Sequence, residues 1–233
     1  ELLISKGHTV IGTGRRQEKL DELQTQLGDK FIPLNFDVSD LPATKTALQT
    51  LPNDVLNNLD VLVNNAGLAL GLEPADKTDF ADWQQMVNTN ILGLIHLTNE
   101  ILPSMVANND GYIINLSSTA GNYPYFGGNV YGATKAFVTQ FSLNLRADLV
   151  GKNIRVSNIE PGLCGGTEFS NIRFHGDDAK AAQVYDSVQY VTPQDIANMV
   201  AWLIEQPKHV NINRIEVMPT AQTFAGLKVV KDL

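Results

Sequence analysis

Short β-type apolar runs alternate with stretches whose apolar residues recur at helical spacing along almost the whole chain. The runs at His8–Gly12, Phe31–Phe36, Asp60–Asn64, Gly111–Leu116, Ile154–Ile159 and Ile212–Val217 predict strands. Between them, Gln17–Leu27, Leu41–Leu51, about Phe80 to Val106, Tyr131–Leu149 and Pro193–Glu205 predict helices, with Phe137, Phe141 and Leu145 on one apolar stripe of the fourth. Strands separated by helices of this length imply right-handed crossovers and a parallel sheet covered on both faces. No repeat or linker interrupts the alternation, so one α/β domain over residues 1–233 is expected.

Glu1 to His8 read as the last two turns of a helix ending at Gly7, where a left-handed cap is common. A doubly wound, Rossmann-type sheet places a strand, a glycine-rich turn and the front of this helix ahead of it, roughly 15 to 20 residues. No such piece opens this chain, and its strand would sit centrally, so two unpaired edges inside the sheet are expected.

Ser118, Tyr131 and Lys135 carry the candidate chemistry. On a helix Tyr131 and Lys135 lie one turn apart on the same face. The ammonium favours the phenolate, and moving a tyrosine from ~10 toward neutrality needs about 4 kcal/mol, much of which Lys135 plus a positively charged oxidised nicotinamide would supply. Ser118, thirteen residues before the tyrosine, would hydrogen-bond the substrate oxygen, with Ser117 as the competing choice. A serine followed by Tyr-x-x-x-Lys polarises a carbonyl and exchanges a proton with it, as in a metal-free carbonyl reductase or alcohol dehydrogenase. Asn90 sits in a helical stretch where asparagine is a poor former, although Asn88 and Asn99 are equally plausible on composition.

Other positions suit a dinucleotide. Arg15 and Arg16 end the strand whose tip faces the adenosine ribose, where a carboxylate would select NAD and a guanidinium NADP. Solvated loop arginines are the alternative. Asp37 and Val38 suit an adenine amino group and ring, while Asp37 is explained almost as well as a helix cap or turn residue. Asn64-Asn65-Ala66-Gly67 lets backbone approach a ligand closely, or forms a tight turn.

Composition narrows the partners. A net charge of −8 argues against nucleic acid or an anionic membrane as the main partner. One cysteine, Cys164, excludes an internal disulfide and fits a reducing, cytoplasmic compartment. No apolar run approaches the ~20 residues of a membrane span. Four scattered histidines, without His-x-x-x-His or Cys-x-x-Cys spacing, make a zinc centre an unexpected reading.

Asn64-Asn65-Ala66-Gly67, Asn90, Ser118, Tyr131, Lys135 and Pro161-Gly162, in this order, resemble the short-chain dehydrogenase/reductase family across essentially the whole chain. The resemblance implies a Rossmann sheet binding NAD(P)H and Tyr131 as general acid/base. It also implies Lys135 on the nicotinamide ribose, Ser118 on the substrate carbonyl and Asn90 anchoring a proton-relay water. Asn64, Ala66, Gly67, Pro161, Gly162, Cys164 and Thr167 become cofactor-binding positions. Two features depart from the family pattern: the glycine-rich turn is missing, and Thr167 falls one residue late in its loop.

That loop, continuing Glu168-Phe169-Ser170-Asn171-Ile172-Arg173, and Gly14-Arg15-Arg16 look like the branch acting on 3-hydroxy acids. This branch contains NADP-dependent serine and allo-threonine dehydrogenases, also described as malonic semialdehyde reductases. A carboxylate substrate calls for a cation, so Arg173 is expected to pair with it, and Glu168 with a substrate amine or a neighbouring loop group; an internal Glu168–Arg173 pair is the alternative. The resemblance further implies a homotetramer, with Ile212–Pro219 and the apolar tail to Leu227 as edge strand and subunit contact. The rival readings are an NADPH-binding regulatory protein without turnover, a reductase of other small carbonyl compounds, and a remnant unable to bind cofactor.

Overall fold

Strands with apolar residues on both faces need cover on both faces, and the computed structural model, which describes residues 1–225, supplies it. The strands are β1 (Val10–Gly14), β2 (Phe31–Asn35), β3 (Val61–Asn64), β4 (Gly111–Leu116), β5 (Ile154–Pro161) and β6 (Arg214–Val217). The helices are α1 (Leu2–Ser5), α2 (Gln17–Leu27), α3 (Leu41–Leu48), α4 (Asn53–Leu56), α5 (Phe80–Val87), α6 (Leu94–Asn108), α7 (Asn129–Asp148), α8 (Phe169–Arg173), α9 (Asp178–Gln183) and α10 (Pro193–Glu205). Every strand pairing is parallel.

Along β4, alternation sorts side chains into two cores. Ile113 joins Leu34, Ile101, Met105, Leu145 and Val156 on one face. Tyr112, Ile114 and Leu116 join Ile159, Val200 and Leu203 on the other. The sheet is split: β1 pairs with β2, and β3-β4-β5-β6 form a second ladder. Among the described residues no strand lies between β1 and β3, and a space of about 270 Å³ separates them, lined by Ile11, Thr13, Val63, Asn64, Leu94 and Leu97.

Three features differ from the periodicity reading. The helix expected from Phe80 to Val106 is broken by a π-helical segment, Asn88–Gly93. The expected stripe on α7 is corrected: Phe137 is exposed and stacks on Phe141 at 5.9 Å, while the buried face carries Tyr131, Thr134, Lys135, Val138, Thr139, Ser142 and Leu145. A polar face is buried there because its hydroxyls meet partners on β4 and β5. The short helices α8 and α9 fill the loop before α10, where the sequence shows too few turns for periodicity to register. Of the C-terminal segment, residues 226–233 lie outside the described residues.

Candidate active site

The carboxyl ends of β3, β4 and β5 open into one cavity of about 720 Å³. Ser118 lies two residues past β4, in extended conformation, as the cap of a short 3-10 turn over Thr119–Gly121. Its hydroxyl accepts from Ala120 N at 3.1 Å and donates to Pro161 O at 3.2 Å. Gly121 lets this turn lie directly on α7: a Cβ there would come within 2.7 Å of the Lys135 and Ala136 backbone. That approach brings Ser118 to the tyrosine.

Tyr131 is buried, and its phenol hydrogen-bonds Ser118. Burial pushes its pKa up to about 12; the Ser118 bond opposes this, the Tyr125 charge adds to it and Arg173 opposes it. In the unliganded site burial outweighs the Lys135 ammonium, which sits 5.9 Å from the ring centroid, so the lowering expected from Lys135 together with an oxidised nicotinamide is absent there. Burial also pulls the Lys135 pKa from 10.5 down to about 8. Lys135 Nζ donates to Leu116 O at 2.9 Å, so one hydrogen anchors the ammonium beneath the cavity floor.

Asn90 occupies the π-helical segment and is almost fully buried. Its Oδ1 accepts from Leu68 N at 2.9 Å, and its Nδ2 donates to Leu68 O at 2.8 Å and to Thr134 Oγ1 at 3.0 Å. Both amide hydrogens are thus spent on protein, tying the turn after β3 to α7. Gly67 leaves room here: a Cβ on it would lie 3.3 Å from both Asn90 Oδ1 and Lys135 Nζ. Asn64 turns its amide inward, to Thr98 Oγ1 at 3.0 Å and Asn115 Oδ1 at 2.8 Å, and does not face the large cavity.

Arg173 reaches the cavity from α8. Its guanidinium lies 5.3 Å from the Tyr131 ring centroid and donates to Tyr125 Oη at 2.5 Å and Gly71 O at 3.3 Å. Glu168 pairs instead with Arg16, in a two-pronged contact at 2.9 and 2.7 Å, so no Glu168–Arg173 pair forms. That bridge spans 152 positions and joins the β1 tip to the loop after β5. The Glu168 bond raises Arg16 further, and Arg16 holds Glu168 below the usual carboxylate range. Neighbouring Arg15 reaches Asp37 at 3.5 Å. Burial alone would raise Asp37, but two Ser39 hydrogen bonds and Arg15 hold it low; it is a turn residue, and Asp40 caps α3.

Ala66, Gly67, Pro161, Gly162, Cys164 and Thr167 all line the large cavity, as does Arg16. Val38 instead lines the smaller space beside β1, and its carbonyl would sit 2.8 Å from a Cβ on Gly93. Sequence reasoning missed Tyr125, Thr134 and Phe169; the last meets the Tyr131 ring edge-on at 5.9 Å. The aromatic pair Tyr123 and Tyr125, between Ser118 and Tyr131, was the available signal. A hydroxyl beside a phenol at a cavity wall can hold one oxygen and pass one proton; the flanking guanidinium can hold an anion.

A family model described as short chain dehydrogenase matches residues 1–177. A protein of Haemophilus influenzae named "Probable NADP-dependent dehydrogenase" is 67% identical over 99% of this chain and 91% of its own length. An NADP-dependent 3-hydroxy acid dehydrogenase of Escherichia coli K12 is 55% identical over 97% of this chain and 91% of its own. The solved closed form of a serine dehydrogenase complexed with NADP+ superposes with a TM-score of 0.96 at 55% identity, covering 98% of this chain and 92% of that one. With the serine, tyrosine and lysine converging as described, the chain belongs to the short-chain dehydrogenase family.

Proposed function

We propose that the protein interconverts a small 3-hydroxy acid, of the serine, allo-threonine or 3-hydroxypropionate type, and its 3-oxo acid, using NADP. The observation that carries this reading is the Arg173 guanidinium beside the Ser118–Tyr131 pair in one cavity. A cation one residue's breadth from the proton-transfer pair suits a substrate whose carboxylate and reacting oxygen are a few atoms apart. The names carried by the relatives point the same way.

The residues present fit the dinucleotide. Two guanidiniums and no carboxylate end β1, the donor set that suits a 2′-phosphate. Arg15 and Arg16 would hold that phosphate, Asp37 and Val38 would flank the adenine, Ala66, Gly67, Pro161, Gly162, Cys164 and Thr167 would form the nicotinamide end, and Asn64 would brace the turn behind it. Bound NADP supplies the hydride acceptor for oxidation and the donor for reduction.

The chain's own groups do the rest. Ser118 Oγ and Tyr131 Oη grip the substrate oxygen. Burial keeps the proton on Tyr131 in the unliganded site, the form that protonates a carbonyl oxygen as it is reduced. In the reverse direction Tyr131 first releases its proton to solvent along the relay path, and the phenolate oxygen so formed takes the hydroxyl proton. Lys135 supplies positive charge beneath the tyrosine, and Asn90 holds the floor and the path along which a relay water would pass the proton. Arg173 draws in the carboxylate with Tyr125 at its side, and Glu168 orients Arg16 across the cavity mouth.

The same reading carries one domain over residues 1–233, a cytoplasmic location and a homotetramer. Exposed Phe137 on α7, stacked on Phe141, half-exposed Trp202 on α10 and the edge strand β6 support the assembly; among the described residues no helix is long and apolar enough to cross a membrane. Tyr131→Phe is expected to reduce turnover of serine with NADP+ to background while leaving NADP+ affinity and circular dichroism unchanged. Retained turnover in this variant would exclude the mechanism.

A further inference from the structure

Glu160, at the end of β5, is fully buried and takes no part in the chemistry described above. Every contact it makes is with a donor. Oε1 accepts from Asn158 Nδ2 at 2.6 Å, Arg214 Nε at 2.9 Å and Thr139 Oγ1 at 3.1 Å. Oε2 accepts from Asn122 Nδ2 and Arg214 Nη2, both at 2.7 Å. A buried carboxylate is tolerated only when so paired, and losing one partner of such a cluster is costly.

The two oxygens reach different elements. Thr139 lies on α7, one turn beyond Lys135, and its hydroxyl also contacts Ser117 Oγ at 3.0 Å. Ser117 Oγ in turn donates to Lys135 O at 2.6 Å. Asn122 closes the 3-10 turn that begins at Ser118, and it bridges on to Glu216 at 2.9 Å. One carboxylate therefore grips the turn carrying Ser118 through one oxygen and the helix carrying Tyr131 and Lys135 through the other. Arg214 locks both oxygens from β6.

We propose that Glu160 is a positioning residue for the reaction: its carboxylate fixes the separation between Ser118 and the Tyr131–Lys135 turn. The proposal rests on the dehydrogenase reading, because its consequence is a rate. A glutamine at 160 has the same size but turns one acceptor into a donor, which must then face either Asn122 and Arg214 or Asn158 and Thr139. The clamp loosens on one side, and small misplacements of reacting groups are expensive in rate.

Three variants and two readouts test this. Glu160→Gln is expected to lower kcat by about tenfold or more, with KM for the hydroxy acid and for NADP+ within about twofold. Thr139→Val should lower kcat by about threefold or more, and Thr139→Ser, which keeps the hydroxyl, should restore it. Amide hydrogen exchange over residues 117–123 and 131–139, which needs no turnover, should quicken in Glu160→Gln and Thr139→Val and not in Thr139→Ser. If the wild type turns over and both kcat and exchange stay at wild-type values in Glu160→Gln, the positioning role is overturned. The same holds if kcat falls only in proportion to the folded fraction. If Glu160→Gln does not fold, the Thr139 pair decides, and equal kcat in Val and Ser overturns the proposal. A wild type inactive on every small 3-hydroxy acid, with exchange rising as expected, removes the functional reading and leaves the clamp standing.

Discussion

Burial at Lys135 has a consequence for stability as well as for charge. Its pKa in the fold, about 8, lies below the ordinary 10.5 of the free side chain. Between those values the unfolded chain binds the proton and the folded chain does not, so stability rises with pH across that window and is lost as pH falls through about 8. Lys135→Met removes the linkage. The unliganded wild type is expected to gain about 2 kcal/mol relative to Lys135→Met between pH 8 and pH 10, by denaturant titration at each pH. A parallel pair of curves would mean that the ammonium is not desolvated. Arg173 makes a separate prediction. Arg173→Ala should raise KM for serine and 3-hydroxypropionate by about tenfold or more with kcat changed less, since a charge-assisted hydrogen bond is worth about 1.5–3 kcal/mol. An unchanged KM would leave Arg173 to Tyr125 and the Gly71 carbonyl and end the carboxylate role.

At the scale of elements, the contact between the 3-10 turn at Thr119–Gly121 and α7 decides the geometry of the site. Gly132 helps from the helix side, since a Cβ there would lie 2.9 Å from Ala120 O. Gly121→Ala would push its methyl against backbone, not against a side-chain tip that can turn away. We expect a loss of about 1–3 kcal/mol in stability, as for overpacked cores, and a larger fall in turnover than in cofactor affinity. Thermal unfolding and steady-state kinetics on one preparation check both; a variant as active as wild type would show that this turn does not set the Ser118–Tyr131 distance. Alternation of strand and helix was readable in the sequence because it depends on local periodicity. The π-helical segment was not: Asn88–Gly93 continues a helical apolar pattern, and only the bonds from Asn90 to Leu68 and Thr134 give the extra residue a reason.

Across the whole molecule, functional residues lie at the carboxyl ends of β1, β3, β4 and β5, where parallel strands leave an open crevice. Phe137, the exposed member of the aromatic stack on α7, does not line that crevice, whereas the end of β6 leads into it through Met218. A tetramer predicts a light-scattering mass about four times that of the 25.5 kDa chain. Paired Phe137→Asp and Trp202→Asp substitutions should reduce that mass; a monomeric wild type would refute the assembly.

Fold class and the order of strands and helices were determined by the sequence alone, because each rests on a period that short-range sterics convert directly into structure. Ser118, Tyr131 and Lys135 were legible there too, through the ordered motifs that resemble the family, since the Tyr-x-x-x-Lys spacing by itself is weak. Tertiary structure alone decided how charged groups are shared. Arg16 and Glu168 stand 152 positions apart, and Glu160 draws donors from β5, β6, α7 and the turn after Ser118. It also decided the rise at Tyr131 in the unliganded site, because desolvation depends on everything packed around the ring and no spacing along the chain encodes it.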